Sequence, residues 1–104
     1  MKIYVSGKIT GMDRLKAAEK FCKAETELMR RGYTVINPLM VNMALPKATT
    51  HEEYMAMSLL MLSMCDTIYM LDNWKDSPGA REEYDYAIKN DYTIMFEGDA
   101  PIKE

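Results

Sequence analysis

An apolar, strand-like run, Thr67-Ile68-Tyr69-Met70-Leu71, leads through a loop containing Ser77-Pro78-Gly79 into a helix-like run that ends near Asn90. A strand handed to a helix by such a loop is the unit from which α/β proteins build small-molecule sites at the carboxyl edge of a sheet. The same order recurs along the chain. Residues 2–6 read as a strand, and Asp13 is placed to cap a helix running to about Arg31, with Gly32 closing it. Residues 33–36 form a second strand stopped by Asn37-Pro38. Residues 39–47 hold a short helix ended at Pro46 or a loop. Thr49 or Thr50 then caps a helix through Ser63 or Met64. Residues 66–71 are the third strand, 77–90 the third long helix and 92–96 the fourth strand. Residues 97–104 form a polar tail with room for one more short extended piece.

This alternation implies right-handed βαβ crossovers and a parallel sheet. The expected fold is α/β and three-layered, flavodoxin- or Rossmann-like, with four to five strands and flanking helices. At 104 residues the chain is one domain, 1–104, with a small core that oligomerisation would help. The loops after Ser6, Ile36 and Leu71 then open on one edge and surround one crevice.

Composition removes several functions. A net charge of -3 argues against a nucleic-acid partner, which selects basic patches. No apolar run is long enough to span a membrane, and Met1-Lys2-Ile3-Tyr4-Val5 is too short for a signal-peptide core, so a cytoplasmic protein is expected. Cys22 and Cys65 read as two buried thiols rather than a disulfide. One histidine and no Cys-x-x-Cys leave no zinc-type ligand set. Chemistry must rest on carboxylates and backbone groups.

Helical phase narrows the carboxylates. Ala80, Tyr84, Ala87 and Ile88 form an apolar stripe, and Glu83 lies at its edge between two alanines. Glu82 points away with Tyr86 and Lys89. Glu83 is therefore either a carboxylate facing a ligand beside small side chains, or a rim glutamate paired with a cation. Ser77 suits an N-cap and Pro78 the first helical position, leaving the Gly79 and Ala80 N–H groups free for an anion or for water. The loop Gly7-Lys8-Ile9-Thr10-Gly11 suits close approach to an anion, or is a plain strand-to-helix turn. Trp74 either stacks on a base or sugar, or covers the core. His51 reads as a surface or capping residue, with a catalytic histidine as the alternative. In the first long helix Leu15, Ala18, Phe21, Cys22, Ala24 and Leu28 form the expected core stripe. Residues 54–64 are apolar nearly all round, from Tyr54 to Met64, and a second subunit is their natural cover: a homodimer or higher homo-oligomer.

Three blocks together resemble a known family: Ile3-Tyr4-Val5-Ser6-Gly7-Lys8-Ile9-Thr10-Gly11, then the segment from Leu62 to Leu71, then Ser77-Pro78-Gly79-Ala80-Arg81-Glu82-Glu83-Tyr84-Asp85-Tyr86-Ala87. Over about residues 1–96 the chain resembles the nucleoside 2-deoxyribosyltransferases and 2′-deoxynucleoside 5′-phosphate N-hydrolases, and looks closest to the small bacterial and phage members with no assigned function. The resemblance implies a glutamate nucleophile four residues after the helix-start glycine, which is Glu83. It implies that Gly7, Lys8, Ile9, Thr10 and Gly11 line the sugar or phosphate end; Ser6, Trp74, Ser77 and Gly79 are the further candidates for substrate contact. Ser77 stands where the hydrolases have a phosphate-contacting serine and the transferases an aspartate. Ser58 stands where the family usually has an aspartate near the reacting sugar. Tyr4 is a candidate donor to Glu83. The implied activity is cleavage of the N-glycosidic bond of a 2′-deoxynucleoside or its 5′-monophosphate, by a mechanism that needs no cofactor. A non-catalytic nucleotide-binding module and an interaction protein on the same fold are the alternatives.

Overall fold

The computed structural model describes residues 1–99. Strand β1 (Lys2–Ser6) is followed by helix α1 (Arg14–Arg30), β2 (Thr34–Ile36), α2 (Leu39–Ala44), α3 (His51–Ser63), β3 (Thr67–Met70), a 3₁₀ turn (Trp74–Asp76), α4 (Pro78–Lys89) and β4 (Thr93–Phe96). All strand pairs are parallel, in the order β2-β1-β3-β4. This is the flavodoxin-like doubly wound order, whose switch point lies between β1 and β3. Residues 97–99 turn away from β4, and the further extended piece considered for the tail falls on 100–104, outside the described residues.

Local chemistry explains the boundaries. The Asp13 carboxylate accepts from the Leu15 and Lys16 N–H groups and starts α1. Gly32, at φ +89°, ends it: Tyr33 N–H bonds to the Leu28 carbonyl and Gly32 N–H to that of Met29. Of the two candidate caps for α3, Thr50 is the one used, in a reciprocal capping box with Glu53. Ser77 caps α4 through Ala80 N–H, with Pro78 first in the helix.

Strand alternation splits the core into two layers. Ile3 and Val5 of β1, with Tyr69 and Leu71, pack against Ala17, Phe21, Ala24 and Leu28 of α1 and Leu39 of α2. Tyr4, Ile68 and Met70 face the other way, against Leu62 of α3 and Ala80 and Ala87 of α4. The sheet is thus the middle of three layers.

Two expected helix stripes are corrected. On α1 the buried residues are Ala17, Phe21, Ala24 and Leu28, a narrow line at spacings of four, three and four. Leu15 lies roughly 200° round the helix from Ala17 and is 75 % exposed. Cys22, one step off the line, is also exposed, so only Cys65 is a buried thiol. On α4 the buried line is Ala80, Glu83 and Ala87, while Ile88 is half exposed. Glu83 sits at the centre of the buried face, not at its edge.

Candidate functional site

The small Ala80 and Ala87 side chains let α4 lie close to the sheet, so the second helical turn carries Glu83 over the carboxyl half of β1. Tyr4 and Ser6, two apart on β1, point to that same face. The Tyr4 hydroxyl donates to Oε2 of Glu83, and the Ser6 hydroxyl donates to Oε1 at 2.8 Å. Glu83 is 6 % exposed, Tyr4 and Ser6 1 % each.

Burial pushes the Glu83 carboxyl up to about 7, although the Tyr4 and Ser6 hydrogen bonds pull it down; nearby Glu82 adds a small upward push. Hydrogen bonds to a charged group contribute about 1.5–3 kcal/mol each, whereas removing a carboxylate from water costs several kcal/mol. Burial therefore wins, and near neutral pH Glu83 is balanced between acid and carboxylate. Tyr4 is raised well above its ordinary value, first by burial and then by Glu83, so it stays a hydrogen-bond donor; the nearby Ser58 side chain acts in the opposite direction.

Glu83 and Tyr4 open onto a cavity of about 520 Å³ at the carboxyl edge, a size suited to a small organic ligand. Its floor is β1. One wall comes from the Gly7 loop and α1 (Ile9, Thr10, Met12, Arg14, Phe21), another from Pro38, Asn42 and Met43, a third from His51, Tyr54, Met55 and Ser58 of α3, and the last from Asp76, Ser77, Gly79 and Ala80. The three loops expected to surround one crevice do so.

The residues singled out from sequence divide accordingly. Gly7, Ile9, Thr10, Ser58, Ser77, Gly79 and Glu83 line the cavity. Ser6 reaches it only through Glu83. Lys8 and Gly11 belong to the loop but are not among the lining residues; the Lys8 N–H bonds to the Asn73 side chain at 3.0 Å. Trp74 lies outside the lining too. Its ring stacks on Tyr84 with centroids 4.6 Å apart and leans on Phe96, so it covers the α4 side of the core. Gly7 is needed for packing, since a Cβ there would lie 2.7–3.0 Å from the Leu71 side chain. Ala80 N–H is not free, because it is spent on the Ser77 hydroxyl at 3.1 Å.

Sequence reasoning missed Arg14, Asn42, Tyr54 and Asp76 as lining residues. Asp76 stands beside Ser77 and carried a signal in that proximity; Arg14 and Asn42 had none. His51, read as a surface residue, is at the cavity wall, with Nε2 3.5 Å from the Glu82 carboxylate. Among the described residues no three His, Cys, Asp or Glu side chains gather as a metal ion would require, and no helix is long and apolar enough to cross a membrane.

The model of a family described as a domain of unknown function, DUF4406, matches residues 1–96. The chain belongs to that family. A search of curated proteins finds no match. Among solved structures, this DUF4406 chain is similar to the 2-deoxyribosyltransferase from the psychrotolerant bacterium Bacillus psychrosaccharolyticus, described as a biocatalyst for nucleoside synthesis. The TM-score is 0.69 at 21 % identity, covering 98 % of this chain and 77 % of that one. At that identity the likeness establishes the shared three-layer fold.

Proposed function

We propose that the chain, acting as one domain over residues 1–104, cleaves the N-glycosidic bond of a 2′-deoxynucleoside or its 5′-monophosphate, with Glu83 as the nucleophile. One observation carries this reading: a buried carboxylate, held on both oxygens by hydroxyl donors, opens into a ligand-sized cavity at the switch point of the sheet. The similarity in fold to a 2-deoxyribosyltransferase supports the substrate class.

In this mechanism an oxygen of ionised Glu83 attacks C1′ through an oxocarbenium-like transition state. The C1′–N bond breaks and its electron pair leaves with the base, which takes up a proton. A C1′–O ester to Glu83 replaces it. Water then attacks C1′, freeing the sugar and returning the carboxylate; a second base in place of water gives transfer instead. Tyr4 and Ser6 hold the carboxylate in position and favour its charged form. The apolar wall of Ile9, Met12, Phe21, Met43 and Tyr54 offers the base a dry surface.

A second reading, a nucleotide-binding module without turnover, is favoured by Ser58, 5 % exposed, in the place of the aspartate the family resemblance implies. The separating experiment follows free base from each deoxynucleoside and each monophosphate. Release lost in Glu83→Ala supports the enzyme, and binding without release supports the module.

We further propose that a second copy covers α3. Met57, Leu60 and Met64 are 39 %, 62 % and 56 % exposed on the helix expected to be an interface. Sedimentation of the wild-type chain checks this: a dimer or larger assembly is expected, and a monomer at all concentrations rejects it.

A further inference from the structure

The segment after β1 forms one wall of the cavity through Ile9, Thr10 and Met12, and the segment leading into α4 forms another through Asp76, Ser77 and Gly79. The first of these is thinly held. Its Met12 N–H turns back to the Ile9 carbonyl of the same loop. Among the described residues, the hydrogen bonds that join residues 7–12 to any other segment both end on one side chain, that of Asn73. The Lys8 N–H donates to Asn73 Oδ1 at 3.0 Å, and Asn73 Nδ2 donates to Met12 Sδ at 3.3 Å.

The first of these bonds stands in for a rung of the sheet. In a parallel ladder, alternate residues of a strand bond to the same neighbour. The Lys2 and Ser6 carbonyls accept from Asp66 and Leu71 on the β3 side, so Lys8 N–H is the next donor turned that way. The Leu71 carbonyl, its natural acceptor, is taken by Trp74 N–H as the chain enters the 3₁₀ turn. The Asn73 amide oxygen fills the gap.

Asn73 is itself flanked by anchors. Asp72 N–H donates to Glu97 Oε1 at 2.9 Å, and Lys20 Nζ bridges Asp72 at 2.7 Å and Glu97 at 2.9 Å. These bonds tie residue 72 to α1 and to the exit of β4. On the other side Trp74 stacks on Tyr84 of α4. The side chain between them passes the fixed position of the α4 lead-in to the loop after β1. A loop without that hold would be ordered by the ligand instead, and binding would bear the entropy of ordering it.

We propose that Asn73 is a positioning residue: it clamps the loop after β1 to the α4 lead-in, so that two walls of the cavity are set before substrate arrives. Asn73 does not line the cavity and acts through Lys8 and Met12. The identity of what is bound rests on the glycosidic reading above, but the clamp is tested apart from it.

The experiment compares wild type, Asn73→Ala and Asn73→Asp in the full chain, with folding checked by circular dichroism. Asn73→Asp keeps an oxygen for the Lys8 N–H but has no donor for Met12; Asn73→Ala keeps neither. Amide hydrogen exchange read by NMR is expected to speed up about tenfold or more at Lys8 in Asn73→Ala, the weight of one hydrogen bond. The Tyr4 and Val5 amides are expected to stay as in the wild type, and Asn73→Asp to keep Lys8 protected. For whichever deoxynucleoside or 5′-monophosphate the wild type cleaves, Asn73→Ala is expected to raise KM about tenfold with kcat within about twofold, because Tyr4 and Ser6 still hold Glu83. A general loss of structure would instead speed exchange throughout β1 and lower kcat at unchanged KM. Either of those results, an unchanged Lys8 amide in Asn73→Ala, or an Asn73→Asp that exchanges like Asn73→Ala overturns the assignment. If Lys8 alone loses protection while the wild type releases base from none of these substrates, the clamp stands and the glycosidic reading fails instead.

Discussion

The Tyr4 hydroxyl donates a hydrogen bond to Oε2 of Glu83, joining the first strand to the last helix across 79 positions of the chain. It is the contact that most directly sets the charge of the proposed nucleophile, because burial drives the carboxyl toward neutrality and Tyr4 is the larger of the two hydroxyl contributions opposing it.

Tyr4→Phe removes that donor and leaves Ser6 alone to favour the carboxylate. The Glu83 carboxyl rises further, by roughly one unit if the bond contributes near the low end of 1.5–3 kcal/mol. The nucleophile must be ionised, so activity rises with pH through the carboxyl's value. The acidic limb of the pH–rate profile is expected near pH 7 in the wild type and displaced upward in Tyr4→Phe, with about tenfold less activity below it. An unmoved limb contradicts the assignment of that limb to Glu83.

Glu83 also leaves a mark on stability. Its folded value, about 7, lies above its unfolded value of about 4.5. Between those values the folded state binds more protons than the unfolded state, so stability falls as pH rises across the window and is constant outside it. The loss is roughly 3 kcal/mol if the whole shift is realised. Glu83→Gln removes the buried charge while keeping the shape. Its melting temperature is expected to lack that decline between about pH 4.5 and 7 and to exceed the wild-type value at pH 8. Parallel curves for the two proteins reject the buried, shifted carboxyl.

Gly7→Ala tests the packing of the loop rather than its chemistry. The new methyl group meets Cδ1, Cβ and Cγ of Leu71 at 2.7–3.0 Å, and Leu71 is fully buried. Overpacking of this kind costs about 1–3 kcal/mol. A fall in urea midpoint with unchanged slope is expected; no change in midpoint means that the loop and Leu71 part easily.

Much of this was legible in the sequence because the elements announce their own ends. Asp13, Gly32, Ser77 and Pro78 act through local backbone geometry, and the strand–helix alternation leaves few topologies for a parallel sheet. The inward direction of Glu83 followed from its spacing with Ala80 and Ala87. Helix stripes were read too broadly: Leu15, Cys22 and Ile88 are apolar, but α1 and α4 bury only narrow lines against the sheet. The cavity walls were least legible. Arg14, Asn42 and Tyr54 come from three helices, and only the crossover geometry brings them to one space. The direction of Trp74 depended on Tyr84 and Phe96, neither of which is its neighbour in sequence.

Release of free base from 2′-deoxynucleosides and their 5′-monophosphates, measured for wild type and Glu83→Ala under identical conditions, tests the central claim most directly. The wild type is expected to release base from at least one of these substrates, and Glu83→Ala to lose roughly a thousandfold or more, as removal of a nucleophile does. Base release that persists in a folded Glu83→Ala protein, or a wild type inert toward every one of these substrates, contradicts it.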